Sequence, residues 1–496
     1  MYVSKSKYCL LSQCPKLLWL DTYHRELKTT DPAVEARMVA GNEVGDLAMG
    51  LFGDFVEVTV MNENDRPDIP AMIAKTQACI ENGTENICEA SFSYEGLYCA
   101  VDILRKEKDG YAIYEVKSST HEAEIYGIDI AYQKYVLEHC GVTVTGTYLV
   151  CINSDYVRGE ELDVQQLFRI VDMADWVALE TPLIPSRLKL AEKILSSETE
   201  PSCDIGEHCE DPYHCPYWEY CTRNLPKPSV FDLYRLPFKK KVEYYHKGMI
   251  SYEDMLSAPK LNDKQLRQIQ FYLQDCGNYI DEGGIQDFLN TLSYPIYFLD
   301  FETMQQVIPQ YPSTKPYQQI PFQYSLHYIE KPGGELKHKD FLAESGENPL
   351  RAIAESLCRD IPMHTCVMAY NRGFECGRLN ELALLFPDLA EHLLNIRSNI
   401  QDLLTPFQSG YYYNRAMGGS FSIKSVLPAL FPDDPSLDYH NLEGVHNGGE
   451  AMTIFPKIKD MPSEEAALAR KNLLAYCRLD TYAMVKVWEA LKNAVK

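Results

Sequence analysis

The chain has 496 residues, too many for one ordinary core, so two or three domains are expected. Hydrophobic residues at 46% and charged residues at 24% match a soluble globular protein, and no apolar run approaches the roughly 20 residues of a membrane helix. A net charge of −24 predicts weak non-specific attraction to nucleic acid, yet is compatible with a local basic groove beside catalytic carboxylates. In "MYVSKSKYCLLSQCPKLLWL", Gln13, Pro15 and Lys16 break the apolar stretch behind Lys5 and Lys7. A signal peptide is therefore not expected, and the protein reads as cytosolic.

About the first 225 residues alternate helix and strand signals. Within them "GLYCAVDILRKEKDGYAIYEVKSST" reads as a hairpin turning at Lys108–Gly110. Asp102 lies on its first strand, and Glu115 and Lys117, two apart, share one face of the second. An Asp with Glu-x-Lys at the ends of paired strands suits one or two Mg²⁺, with the lysine steering the attacking water or the transition-state charge. The helix "DIAYQKYVLEHCG" follows. Most of the 16 cysteines, such as Cys79, Cys140, Cys276 and Cys358, are scattered singly and read as small buried hydrophobes. "CDIGEHCEDPYHCPYWEYC" instead gathers Cys203, Cys209, Cys215 and Cys221, which in a reducing compartment suggests metal rather than disulfides.

Residues 226–290 are charged and helical in pattern, with "FKKKVEYY" and "DKQLRQIQFYLQ". A second α/β pattern starts near residue 291 with "YPIYFLDFETM", a buried strand whose Asp300 and Glu302 share a face. "HTCVMAYNRGFECGRLNELALLFP" gives a second buried strand over 365–370 and a turn at Asn371–Gly373. Glu375 then opens a helix with Leu379, Leu382 and Ala383 at helical spacing. A long helix from about Ser463 carries Tyr476 and Asp480 four apart on one face. Four acids on three elements suit two-metal phosphodiester cleavage, in which two divalent ions about 4 Å apart clamp the attacking and leaving oxygens. A phenol one turn before the last acid orients or deprotonates the attacking water.

The motifs "DFE", "NRGFE" and "YCRLD" resemble those of the DnaQ-like (DEDD) exonuclease superfamily of the RNase H fold. The form is Tyr-x-x-x-Asp, since Ala475 stands where the other subclass has histidine. The resemblance implies that Asp300, Glu302, Glu375 and Asp480 bind Mg²⁺ or Mn²⁺, that Tyr476 assists water attack, and that mononucleotides leave a 3′ end. Glu375 replaces the aspartate usual in the second motif. Asp402 in "NIQDLLTPF" and Lys424 in "GSFSIKSVLP" sit where related exonucleases make secondary contacts.

The first half resembles PD-(D/E)XK nucleases of the RecB branch. The resemblance implies a site of Asp102, Glu115 and Lys117, with Gln133 and Tyr135 in the helical motif. That branch has a histidine where "GNEVGDLA" has Gly45, so either a neighbouring acid, Glu43 or Asp46, replaces it as a ligand or the site is weakened. Cys14, Cys209, Cys215 and Cys221 fit the one early and three late cysteines of iron–sulfur nucleases of the AddB and CRISPR-associated RecB-like type. Four such thiolates take a 4Fe–4S cluster, a Zn²⁺ site being the alternative. Both late gaps are wider than that family's, and Cys9 and Cys203 are spare thiols.

The expected architecture is α/β. A PD-(D/E)XK nuclease core with a metal staple spans 1–225, a helical linker 226–290, and an RNase H-like mixed sheet with helices 291–496. The expected function is a metal-dependent nuclease on DNA or RNA with two sites. The alternative makes the N-terminal half a cluster-stapled nucleic-acid-binding module and only the C-terminal half catalytic.

Overall fold

The computed structural model describes the backbone of residues 2–29 and 32–496, and the side chains of all of these but 32–36. The chain is mixed α/β and divides into two units. Unit 1 is Met1–Leu225 with Gln306–Tyr317; unit 2 is Pro226–Gln305 with Gln318–Lys496. No described helix is long and apolar enough to cross a membrane.

Unit 1 begins with β1 (Val3–Ser4), α1 (Lys5–Gln13) and α2 (Pro15–Tyr23). The Ser4 hydroxyl caps α1 by accepting the Lys7 N–H. Pro15 at the start of α2 forces the residue before it out of the helical region. Cys14 is accordingly extended (φ −160°, ψ 129°) and forms the corner between the two helices. Next come α3 (Pro32–Met49), β2 (Val56–Glu57), α4 (Ile69–Glu81), β3 (Asn86–Tyr94), β4 (Leu97–Glu107) and β5 (Gly110–Lys117). Then follow α5 (Glu124–His139), β6 (Val144–Ile152) and β7 (Phe168–Asp172). The strands form one sheet in the order β2-β3-β4-β5-β6-β7, with β1 parallel to β4. β5 and β6 run parallel, so the chain must cross over, and α5 is that crossover. Alternation along β5 serves two cores: Tyr111 and Ile113 face α1, α2 and α5, whereas Ala112, Tyr114 and Val116 face α3. Glu115 shares the face of Ile113, so it is aimed at α1 and α5.

In unit 2, Gln268 donates to the carbonyls of Asp232 and Gly418 and to the Tyr252 hydroxyl, which ties the helical stretch after Pro226 into the unit. β8 (Asn278–Ile280) leads to β9 (Ile296–Gln305), β10 (Gln319–Ile329) and β11 (Lys337–Leu342). These precede β12 (Cys366–Ala369), α6 (Gly373–Leu385), β13 (Ile400–Asp402), β14 (Tyr412–Asn414) and the long α7 (Ser463–Ala494). The main sheet runs β11-β10-β9-β12-β13, an antiparallel meander joined to a parallel trio; β14 pairs with β8. Even-numbered residues of β9 face α7, as the Phe298–Trp488 ring contact (5.7 Å) shows. Odd-numbered ones face away, Tyr297 stacking on Tyr328 and Phe301 meeting Tyr324. Asp300 and Glu302 therefore point toward the last helix.

Candidate functional sites

In unit 2, Asp300 and Glu302 extend from β9, Glu375 from the first turn of α6, and Tyr476 and Asp480 from α7. All but the half-buried Asp300 are buried. Ligand atoms of Asp300, Glu302 and Cys477 lie within 4.8 Å of one another. Burial, Asp480 and the other two acids push the Asp300 carboxyl well above its ordinary range. Glu302 moves the same way, through burial and the charge of Asp480. Burial pushes Asp480 up to about 6, while the Tyr439 and Tyr476 hydroxyls and Lys424 pull the other way. The Tyr439 hydroxyl donates to Asp480 Oδ1 at 2.6 Å. Lys424 Nζ lies 5.5 Å from the Tyr439 ring and 5.8 Å from the Tyr476 ring.

Glu375 is 2% exposed, and its Oε2 has no hydrogen-bond partner among the described residues. Burial raises it to about 8, Asp402 adding to the effect and Arg378 opposing it. Asp402 itself is spent on the backbone, its Oδ1 accepting from the N–H groups of Asn371 and Leu404 at 2.9 and 3.0 Å. A groove of about 940 Å³ adjoins Lys424 and Tyr439 and is lined also by Asp434, Asp438, His446 and Glu450. The four expected acids thus act on one another electrostatically. Tyr439 and Cys477 were not foreseen.

In unit 1 the fully buried Glu115 carboxylate accepts from Lys5 Nζ at 3.0 and 3.2 Å, from Lys117 Nζ, and from Gln133 Nε2 at 2.7 Å. Lys117 also reaches Asp129 (3.1 Å), and Gln133 Nε2 reaches Asp129 Oδ1 (3.0 Å). Lys5 lies 3.8 Å from Asp129 and 4.0 Å from Asp102, whose Oδ2 accepts the Val116 N–H at 2.7 Å. Burial works against Glu115 ionising, but Lys117 and Lys5 win and hold it well below the carboxylate range. Burial and the Glu115 charge push Asp102 up to about 6.

Glu89 lies opposite Asp102 between the β3–β4 pairs Cys88–Ile103 and Ala90–Val101, at φ 58°. Burial and Asp102 push it up to about 7. Gly45 sits on α3 with nothing within 4 Å of where a Cβ would be, and Glu43 and Asp46 are exposed. The acid that senses Asp102 and Glu115 is instead Glu89. Tyr135 is not in the network: two residues past Gln133 it has turned to another face of α5, where its ring meets His139 at 4.1 Å. Lys5, Asp129 and Glu89 were missed from the sequence. Asp129 alone carried a signal, one helical turn before Gln133.

Cys14, Cys209, Cys215 and Cys221 line one small cavity of about 60 Å³, as do Cys203, His208 and Lys16. Cys203 Sγ is 3.6 Å from Cys14 Sγ and 3.7 Å from His208 Nε2. Gln13 Nε2 donates to the carbonyls of His208 and Tyr213 at 2.9 and 2.7 Å, fastening the late loop to α1. The Cys215 N–H bonds the Cys209 carbonyl at 2.8 Å. Burial raises every one of these thiols, Cys203 and Cys215 to about 11. Cys203 is therefore part of this group, whereas Cys9 lies against Asp129, Lys117 and Lys5.

Both donor sets fit metals of different kinds. Buried carboxylates with an unpartnered oxygen suit a hard divalent cation, and clustered thiols with an imidazole suit zinc or an iron–sulfur cluster. No curated protein sequence matches the chain. A family described as a domain of unknown function (DUF2779) matches residues 297–422. The match takes in Asp300, Glu302 and Glu375 and stops short of Tyr439, Tyr476 and Asp480.

Proposed function

We propose that the protein is a metal-dependent phosphodiesterase acting on nucleic acid, with its principal centre at Asp300, Glu302, Glu375 and Asp480 in a DnaQ-like, RNase H-type domain. The observation that carries this reading is the crowding of these acids from three elements, each pushed toward its protonated form, with Lys424 the cation opposing that push at Asp300, Glu302 and Asp480. Such crowding is costly unless cations share the site. The four carboxylates would hold Mg²⁺ or Mn²⁺, which when bound supplies charge stabilisation for the scissile phosphate and a more acidic water. The Tyr439 hydroxyl fixes Asp480, and the Tyr476 phenol, which acts on the same carboxylate, would orient the attacking water. Cleavage from a 3′ end follows from the motif resemblance.

Unit 1 is proposed as a second, PD-(D/E)XK-type site. Its acids Asp102, Glu115 and Asp129 would hold metal, and Lys117 would meet developing negative charge. Its thiol pocket would carry a 4Fe–4S cluster on Cys14, Cys209, Cys215 and Cys221. The zinc alternative draws support from Cys14, Cys203 and His208, since Zn–S bonds of about 2.3 Å put tetrahedral ligands roughly 3.8 Å apart. The test is cleavage of labelled single and double strands of DNA and RNA with Mn²⁺ by wild type, Asp300→Ala and Glu115→Ala. Activity unchanged in both variants refutes the proposal.

A second reading, with unit 1 as a binding module, is favoured by Lys5 and Lys117 already neutralising Glu115 and Asp129. Loss of all cleavage in Asp300→Ala with binding retained supports it. Residual cutting that depends on Glu115 rules it out.

A further inference from the structure

Unit 2 contains another cavity, of about 680 Å³, between β10, β11 and α7. His327, His338, Lys471, Arg478 and Tyr482 line it together with one acid, Asp340. Residues 471, 475, 478 and 482 recur at helical spacing, so the cavity uses a different face of α7 from Tyr476 and Asp480. Its charge is opposite to that of the groove beside Tyr439. The chain has 71 acidic against 47 basic residues, yet Lys471 and Arg478 are exposed and their side chains take no ion pair or hydrogen bond among the described residues. Asp340 has its contact with His338, at 3.9 Å.

The imidazoles define what else a ligand must offer. The Thr481 hydroxyl has one proton, and its bond to the Arg478 carbonyl (3.2 Å) uses it. In the arrangement that keeps all three contacts of this hydroxyl as hydrogen bonds, His327 Nδ1, 2.7 Å away, donates to it, as does Ser325 Oγ at 2.6 Å. The proton of Ser325 is thereby used, so His338 Nε2 donates to Ser325 at 2.9 Å. His327 is 3% exposed and lines the cavity, and its Nε2, an acceptor in this arrangement, has no hydrogen-bond partner among the described residues. Burial, which pushes His327 down to about 3, keeps that ring neutral. A ligand that satisfies this wall carries an anion for the cations and an O–H or N–H donor for the imidazole. The volume falls in the range of roughly 300–1,000 Å³ typical of small-ligand sites, larger than a bare phosphate fills.

We propose that this cavity binds a mononucleotide: Arg478, with Lys471, holds the phosphate, and His327 Nε2 accepts from a ribose hydroxyl or base amino group. Tyr482 supplies an aromatic wall, its ring 5.8 Å from that of His327. The site is independent of whether unit 2 cleaves nucleic acid, because its test reads binding alone. The full-length protein is titrated calorimetrically with AMP, adenosine, inorganic phosphate and a short single-stranded oligonucleotide, in buffer free of divalent cations. AMP is expected to bind more tightly than adenosine or phosphate. Arg478→Gln should weaken AMP by about tenfold or more, and Lys471→Gln by a smaller factor, as befits lost charged hydrogen bonds. Both side chains are exposed, so unchanged circular dichroism and melting temperature are expected and are measured alongside. No AMP binding, or AMP affinity unchanged in Arg478→Gln, overturns the proposal. So does adenosine or phosphate binding as tightly as AMP. An oligonucleotide that binds without competition from AMP replaces it with a strand-binding groove.

Discussion

Raising the pH from 5 to 8 without divalent ions should destabilise unit 2, and Mn²⁺ should restore what is lost. Burial lifts Asp480 from its ordinary 3.8 to about 6 and Glu375 from 4.5 to about 8; Asp300 and Glu302 are lifted too. Each carboxyl holds its proton more tightly in the folded than in the unfolded chain. The folded state therefore binds more protons between the two values, and stability falls as pH rises. The contribution is complete below the unfolded value near 4 and is lost through about 6 for Asp480 and about 8 for Glu375. At about 1.4 kcal/mol per unit, Asp480 is worth about 3 kcal/mol and Glu375 about 5 kcal/mol, not additive within one site. Against a total of about 5–15 kcal/mol, even the smaller value is readily measured. The assay is urea unfolding at stepped pH, with and without Mn²⁺, for wild type and Asp480→Asn. The variant should show a shallower pH slope, higher stability at pH 8 without metal, and less gain from Mn²⁺. A wild-type stability that is flat or rises from pH 5 to 8, or the same slope in both proteins, refutes the reasoning.

Three further outcomes are expected in unit 1. Glu89→Asn removes the repulsion with Asp102 and places at this left-handed position a residue that tolerates it better than Glu, so melting should show about 1 kcal/mol of added stability while Mn²⁺ affinity falls. Lys5→Met strips a cation from the buried Glu115 and should cost about 3 kcal/mol or more in denaturant unfolding, with Lys5→Arg recovering most of it. Metal analysis and visible absorption of anaerobically purified Cys209→Ser and Cys221→Ser should show loss of iron, while Cys203→Ala keeps it; a colourless zinc protein that loses its metal in Cys203→Ala overturns the cluster.

Much of the unit 2 site was legible because its acids obey local periodicities. The two-residue period of β9 aims Asp300 and Glu302 together, and the four-residue step on α7 aligns Tyr476 with Asp480. Tyr439 was not legible: it opens a single 3-10 turn (Tyr439–Asn441) 41 residues before Asp480, and no spacing announces the contact. Lys5 meets Glu115 across 110 residues because the hairpin and α1 fold together, and nothing local to either encodes it. Cys203 and His208 reach Cys14 through the packing of the late loop on α1, so the sequence could name Cys203 and Cys9 as spare thiols without choosing between them or revealing the imidazole. Tyr135 is the reverse case: its motif neighbourhood suggests a role, while its angle around α5 carries its ring to His139.

The two carboxylate groups resolve the same electrostatic problem in opposite ways, and this ranks the metal affinities expected of them. In unit 1 the ammonium groups of Lys5 and Lys117 lie within 4.0 Å of the acids, and Glu115 stays ionised. A divalent ion entering there must displace or share space with a resident cation. In unit 2 the acids are opposed mainly by protons, and those near pH 7 leave readily. Mn²⁺ titration followed by electron paramagnetic resonance should therefore be biphasic at pH 8. The tighter phase should vanish in Asp300→Ala and the weaker in Glu115→Ala, and lowering the pH to 6 should weaken the tight phase more than the weak one. Lys5→Met should tighten the weak phase, because it removes the competing charge. If the tighter phase instead vanishes in Glu115→Ala, the lysines are helping to organise that site for metal rather than standing in for it.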